Sequence, residues 1–125
     1  MLCLFIDDGQ TFEGNIPGLP GEMPALTFTY RKATGRKVYE YIRASYKTAD
    51  DEIAAAAKLV AAHLVSWNAA RKDPASGLPV PVPVSVESLV QLADAPGTHR
   101  YFVALVNHVQ GHAASSADAA PDPNV

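Results

Sequence analysis

The most regular pattern of hydrophobic and polar positions lies at residues 25–31, where apolar or aromatic residues alternate with polar ones. Successive side chains of a strand point to opposite faces of the sheet, so this period of two predicts a half-buried β-strand. Residues 2–6 and 11–16 also favour strands, and Asp8-Gly9 between them suits a tight hairpin turn. We therefore expect a small amino-terminal antiparallel sheet that consists of a hairpin and one further strand.

After this strand, the apolar positions recur at a spacing of three to four residues. At residues 38–46 the spacing favours a short helix, although the valine, tyrosine and isoleucine content also suits a strand. Residues 50–70 form the strongest helical segment, with Thr48 or Asp50 as its N-cap. The sequence Asp73-Pro74 cannot continue this helix, because proline restricts the residue before it and provides no N–H.

Two further helices are predicted near the end of the folded region. Ser85 precedes an apolar spacing over residues 86–93, and its hydroxyl can accept from the free N–H groups of a first helical turn. Residues 99–110 carry a second apolar stripe, which stops at Gly111. Residues 74–84 contain four prolines, so this segment must be extended and cannot be a central strand. We expect its valines to lie against the long helix.

The predicted fold is α+β, with one domain that combines the small sheet with a bundle of three to four helices. Residues 1–24 comprise the hairpin and a connector rich in proline and glycine, and residues 25–111 form the helix-rich main body. Residues 112–125 consist mostly of Ala, Ser, Asp and Pro, so we predict a disordered tail. A chain of 125 residues supports a single modest core.

The composition favours a soluble protein of the cytoplasm. With Cys3 as its only cysteine the chain forms no intramolecular disulfide, and we expect neither a signal peptide nor a membrane span. A net charge of -3 disfavours general affinity for nucleic acid. One segment is nevertheless a candidate nucleic-acid surface, since cations neutralise phosphates and its interleaved tyrosines can stack on bases. Its cations are Arg31, Lys32, Arg36, Lys37, Arg43 and Lys47.

No pattern of residues predicts catalysis, a cofactor or a metal site. His108 and His112 have the spacing of two metal ligands on one helix, but Gly111 ends the helix between them and no further ligand completes the set. Neither Cys3 nor Ser66 has the surroundings of an activated nucleophile. We therefore expect a non-enzymatic protein.

The apolar side chains of the long helix are candidates either for the core or for a partner surface. Trp67 ends their stripe, and we expect it to pack in the core, with an exposed interface anchor as the alternative. The stripe and the valines of the extended segment form the predicted partner surface, which consists of Ile53, Ala57, Val60, Leu64, Trp67, Val80 and Val82.

Five short motifs follow one another along residues 26–110. They are Tyr30-Arg31-Lys32, Thr34-Gly35-Arg36, Leu64-Val65-Ser66-Trp67 at the end of an alanine-rich segment, Leu78-Pro79-Val80, and Ser85-Val86-Glu87-Ser88-Leu89. In this order the chain resembles the small tail-assembly chaperones and neighbouring tail-module proteins of long-tailed bacteriophages.

The resemblance implies a non-enzymatic protein of the host cytoplasm that keeps the long helices of the tape-measure protein soluble until the tail tube polymerises around them. An apolar groove between helices is the expected binding site for such a client. Two alternatives stay open. One is a structural virion component, of the tail or the head-tail connector, that self-associates into a homo-oligomer; the other is a small basic module that binds nucleic acid.

Overall fold

A computed structural model describes residues 9–111. The predicted strand at residues 2–6, Cys3, His112 and the predicted disordered tail lie outside this part of the chain. The described elements are β1 (Thr11–Ile16), β2 (Leu26–Arg31), α1 (Gly35–Arg43), α2 (Ala49–His63), β3 (Leu64–Trp67), β4 (Ala70–Lys72), β5 (Pro79–Pro81), α3 (Val86–Asp94) and α4 (His99–Val109). The fold is α+β, with a three-stranded antiparallel sheet and four helices, as predicted.

The three-stranded sheet has the strand order β1-β2-β3. β1 runs antiparallel to β2, with Ile16 opposite Leu26. Leu26, Phe28 and Tyr30 alternate along β2 and are all buried, whereas the residues between them point to the other face. This arrangement confirms the half-buried strand that the period of two predicts.

The third strand shows that the predicted helix over residues 50–70 is wrong in its last part, because α2 ends before Leu64. Leu64 and Trp67 continue the apolar spacing of α2, yet they lie on β3, opposite Tyr30 and Phe28. The physical reason lies at the edge of β2 that does not pair with β1. The backbone N–H and C=O groups along this edge need hydrogen-bond partners, because the face of the sheet beside them is covered. A strand at this point provides those partners, and a longer helix does not.

The connector between β1 and β2 lies against α4. Residues 17–24 form no helix, as their proline and glycine content predicts. The guanidinium of Arg100 donates a hydrogen bond of 3.0 Å to the carbonyl of Pro17, and the hydroxyl of Tyr101 donates to the carbonyl of Pro24. Two side chains of one helix therefore attach the connector to the main body.

Helices α2 and α3 begin after the predicted capping residues. The hydroxyls of Thr48 and Ser85 each accept a backbone N–H of the first turn at 3.1 Å. Thr34 caps α1 in the same way, at 3.3 Å. α1 is a helix, as predicted, although it begins and ends three residues before the predicted span of 38–46.

The core joins the sheet and three of the helices in one cluster of buried side chains. α2, α3 and α4 contact one another, and α4 also contacts β1 and β2. The largest fully buried side chains come from β1, α2, α3 and α4, and they are Ile16, Val60, Leu89, Leu105 and Val109. α1 differs from these elements, because none of its residues is buried.

Strands β4 and β5 form a separate hairpin, with Arg71 opposite Val80. In the loop between them, the hydroxyl of Ser76 donates to a carboxylate oxygen of Asp73 at 2.8 Å. This bond and a weaker one from the N–H of Ala75 lower the pKa of Asp73. The proline-rich segment is extended, as predicted, but the expectation that its valines lie against the long helix is wrong for Val80, which is 45% exposed on the hairpin.

Candidate protein-binding groove

Three residues of the predicted partner surface lie in the core. Ala57 and Val60 have no exposed area, and Leu64 is 5% exposed. α3 and α4 pack against α2 and cover Ala57 and Val60, whereas Leu64 is buried on β3 in the same core cluster. Ala57, Val60 and Leu64 therefore stabilise the fold and do not form a surface for a partner.

Three further residues of that surface lie around the β4–β5 hairpin. Trp67 is half-buried, and its indole N–H donates a hydrogen bond of 2.7 Å to the carbonyl of Val82. Trp67 also packs against the core cluster. Val82 is half-buried, whereas Val80 is exposed. The indole thus holds the base of the hairpin to the main sheet, and the structure does not bring these side chains together with Ile53.

Ile53 lies in an apolar groove between helices, but the other walls of this groove come from α1 and α4 and not from the valines of the extended segment. The groove has a volume of about 320 Å³ and runs between α2 and α4 beside α1. Its apolar lining comes from all three helices and consists of Tyr41, Ala49, Ile53, Ala56, Phe102, Val103 and Val106. We call this feature the α2–α4 groove.

Helical periodicity explains how the groove forms. On α4, Phe102, Val103 and Val106 follow one another at i, i+1 and i+4, so they share one side of the helix. Phe102 and Val106 are buried and form the floor of the groove, and Val103 is 42% exposed at the rim. On α2, the small side chain of Ala56 beside Ile53 leaves room for the depression.

The groove lining contains few polar residues, and the acidic one among them is Glu52. Asp50 and Asp51 precede Glu52 in the exposed first turn of α2. Burial raises the pKa of the Tyr41 hydroxyl, and the nearby Tyr46 and Glu52 raise it further. The groove therefore presents an apolar floor with one carboxylate, that of Glu52, at the end where α2 begins.

His99 and Asn107 are the other polar residues of the lining. The Nδ1 atom of His99 lies 3.0 Å from the carbonyl of Ala93, so this nitrogen is already in a hydrogen bond. Among residues 9–111 there is no group of three or more His, Cys, Asp or Glu side chains that could hold a metal ion. No helix in the same range has the length and apolarity needed to cross a bilayer.

The other histidines of the helices belong to the core. Nδ1 of His63 lies 2.7 Å from the carbonyl of Leu59, and Nδ1 of His108 lies 2.9 Å from the carbonyl of Ala104. The ring of His108 also meets that of Phe28 edge-on, with 5.0 Å between the ring centroids. His108 thus contributes to packing between α4 and the sheet.

The predicted basic segment extends from the end of β2 to the loop before α2. Three of its cations make contacts within the chain. Arg31 donates to the carbonyl of Ala62 at 3.2 Å, Nζ of Lys32 lies 4.5 Å from the ring centroid of Phe12, and the guanidinium of Arg43 lies over the ring of Tyr39. Arg43 is exposed, and so are the remaining cations, Arg36, Lys37 and Lys47.

The tyrosines interleaved with these cations do not form a common stacking surface. Tyr30 is buried, Tyr41 and Tyr46 are half-buried, and Tyr39 is 64% exposed. The hydroxyl of Tyr46 donates to the carbonyl of Tyr41 at 2.7 Å, which ties the loop after α1 to the helix. This environment is less suited to stacking on successive bases than the sequence suggests.

No protein-family model, characterised protein or solved structure matches this chain. The groove is therefore interpreted from its chemistry. Aliphatic and aromatic side chains with a few polar groups at the edge are typical of a site for an amphipathic segment of another protein.

Proposed function

We propose that this chain is a non-enzymatic assembly chaperone of a long-tailed bacteriophage and that it binds a helix of the tape-measure protein in the α2–α4 groove. The groove is the observation that carries the proposal, because it is an open apolar depression between helices. The resemblance of residues 26–110 to tail-assembly chaperones supports the identity of the client. Since such a chaperone acts before the tail tube polymerises, we also propose that it works in the host cytoplasm.

The lining suits the apolar face of a helix. An amphipathic helix presents anchors at i, i+3, i+4 and i+7, and these anchors enter grooves between the helices of a receptor. Ile53 is half-buried and Val103 is exposed at the rim, so these two side chains offer apolar contact area above a floor formed by the buried Phe102. Tyr41 adds an aromatic ring with a polar end, a residue type enriched where proteins bind one another.

The first test is co-purification of this chain with a co-expressed fragment of the cognate tape-measure protein. We compare Val103→Glu, which places a carboxylate at the rim, with the matched Val80→Glu on the hairpin. Both valines are similarly exposed, at 42% and 45%, so both variants should fold. Burying an unpaired carboxylate is costly, and we expect Val103→Glu to weaken binding by about tenfold or more.

The control separates the two surfaces. If Val80→Glu abolishes binding and Val103→Glu does not, the client binds at Val80, a residue of the partner surface predicted from the sequence, and the groove assignment is wrong. If the wild-type chain captures no tape-measure fragment, the chaperone proposal itself fails. A wild-type chain that instead assembles alone into rings or tubes supports the alternative of a structural virion component.

A further inference from the structure

Helix α1 exposes apolar side chains beside cations. Tyr39 is 64% exposed and Ile42 is 58% exposed. The guanidinium of Arg43 lies 5.8 Å from the ring centroid of Tyr39, so a charge is adjacent to this apolar area. Because no residue of α1 is buried, the packing of its own domain leaves much of the apolar surface of this helix in water. Such a surface is available to a partner.

The α2–α4 groove is complementary to this helix in both polarity and charge. Its floor is apolar, and its rim carries the carboxylate of Glu52. The exposed face of α1 carries the guanidinium groups of Arg36 and Arg43. Opposite charges across an interface fix its orientation and disfavour other arrangements.

The helix and the groove are also neighbours within one chain. Tyr41 of α1 forms part of the groove lining, together with Ala49 and Glu52 from the start of α2. Glu52 is close enough to Tyr41 to raise the pKa of its hydroxyl, and Arg43 follows Tyr41 by two residues at the end of α1, so Arg43 lies near the Glu52 end of the groove. A two-fold axis that runs along the groove, between it and α1, places α1 of each copy in the groove of the other. It also keeps Arg43 of one copy at the level of Glu52 of the second.

We propose that the free protein is a symmetric dimer in which α1 of each copy occupies the α2–α4 groove of the other. The contact is isologous, since the same surface of both copies is used, and this is the commonest symmetry of soluble oligomers. A standard interface covers about 800 Å² per copy, which is about a tenth of the surface of a small protein.

The dimer uses the groove of the proposed function and makes its two occupants mutually exclusive. A tape-measure helix displaces α1 of the second copy from the groove. In the client-bound form, one copy of this chain therefore occupies each binding site on the client. The dimer itself does not require a client and is measured on the protein alone. A failure of the dimer and a failure of client binding are therefore separate results.

The test is light scattering coupled to size-exclusion chromatography on the full chain over a range of concentrations. We expect the wild type to show a reversible equilibrium between monomer and dimer. Glu52→Arg and Arg43→Glu should each weaken the dimer by about tenfold or more, because each places like charges opposite one another. The double variant, in which the two charges are exchanged, should return the dissociation constant to within about threefold of the wild type.

Glu87→Arg is the matched control for Glu52→Arg, since Glu87 also lies exposed in the first turn of a helix. It should leave the dimer unchanged. Thermal melting checks that each variant folds. If Glu52→Arg is unstable, Arg43→Glu still tests the dimer, because it lies on a helix with no buried residue. A wild-type monomer at all concentrations, an oligomer larger than a dimer, or a double variant no tighter than the single ones overturns the proposal.

Discussion

The ring of Phe28 is enclosed by neighbours on β1, β2 and α4. It lies on β2 between the edge of His108 and the ring of Tyr30, at centroid distances of 5.0 Å and 5.5 Å. Gly14 lies opposite Phe28 on β1. A β-carbon at position 14 would collide with the Phe28 ring, which is only 4% exposed and cannot move away without disturbing both neighbours. The absence of a side chain at Gly14 is therefore a packing requirement.

Gly14→Ala should lower the free energy of unfolding by about 1 to 3 kcal/mol, the usual cost of excess volume in a packed core. Gly35→Ala is the matched control, since a β-carbon there meets nothing within 4 Å. At the first position of α1 it should raise stability by up to about 1 kcal/mol. Urea denaturation of both variants measures the difference. Equal effects would contradict the packing argument.

Among the secondary-structure elements, the capped helix starts and the alternating strand follow directly from the sequence. Short-range rules are enough at the helix starts, because each capping bond joins residues three positions apart. The hydroxyls of Thr48 and Ser85 accept from the free N–H groups of Asp51 and Ser88. The end of α2 is different. The apolar spacing through Leu64 and Trp67 suits a helix equally well, and the unpaired edge of β2 decides the outcome. That edge is a tertiary feature, which a local pattern does not contain.

The helix caps should differ in their effect on the whole fold. Ser85→Ala removes the cap of α3, which contributes the fully buried Leu89 to the core, and should lower global stability by about 1 kcal/mol. Thr34→Ala removes the cap of α1, which has no buried residue. It should accelerate amide exchange within α1 and change the global unfolding midpoint less. Equal shifts of the midpoint would show that α1 unfolds with the core.

For the molecule as a whole, the sequence predicts the fold class but only part of the candidate site. Ile53 is identified from the stripe on α2, whereas Tyr41 and Val103 are not. The groove depends on how α1 and α4 pack against α2. The sequence pattern of each helix taken alone does not contain this packing arrangement. A partial signal does exist at Val103, an apolar residue of α4 that lies outside the stripe of Phe102, Leu105, Val106 and Val109.

The single core cluster predicts cooperative unfolding. Trp67, the only tryptophan, packs against that cluster and bonds to Val82, so its fluorescence reports on both the sheet and the hairpin. The fluorescence transition should coincide with the loss of helical circular dichroism, as expected for a small two-state domain. Trp67→Phe removes the signal and provides the baseline. Two separate midpoints would show that the hairpin or the sheet unfolds independently.

The prolines of β5 determine what the outer edge of the hairpin can do. Backbone bonds from Asp73 to Leu78 and from Val82 to Ala69 fix the pairing, so the nitrogens of Pro79 and Pro81 point away from β4. Neither nitrogen carries a hydrogen. An incoming strand would therefore find acceptors without donors, and fibril growth by templated strand addition is blocked at this edge.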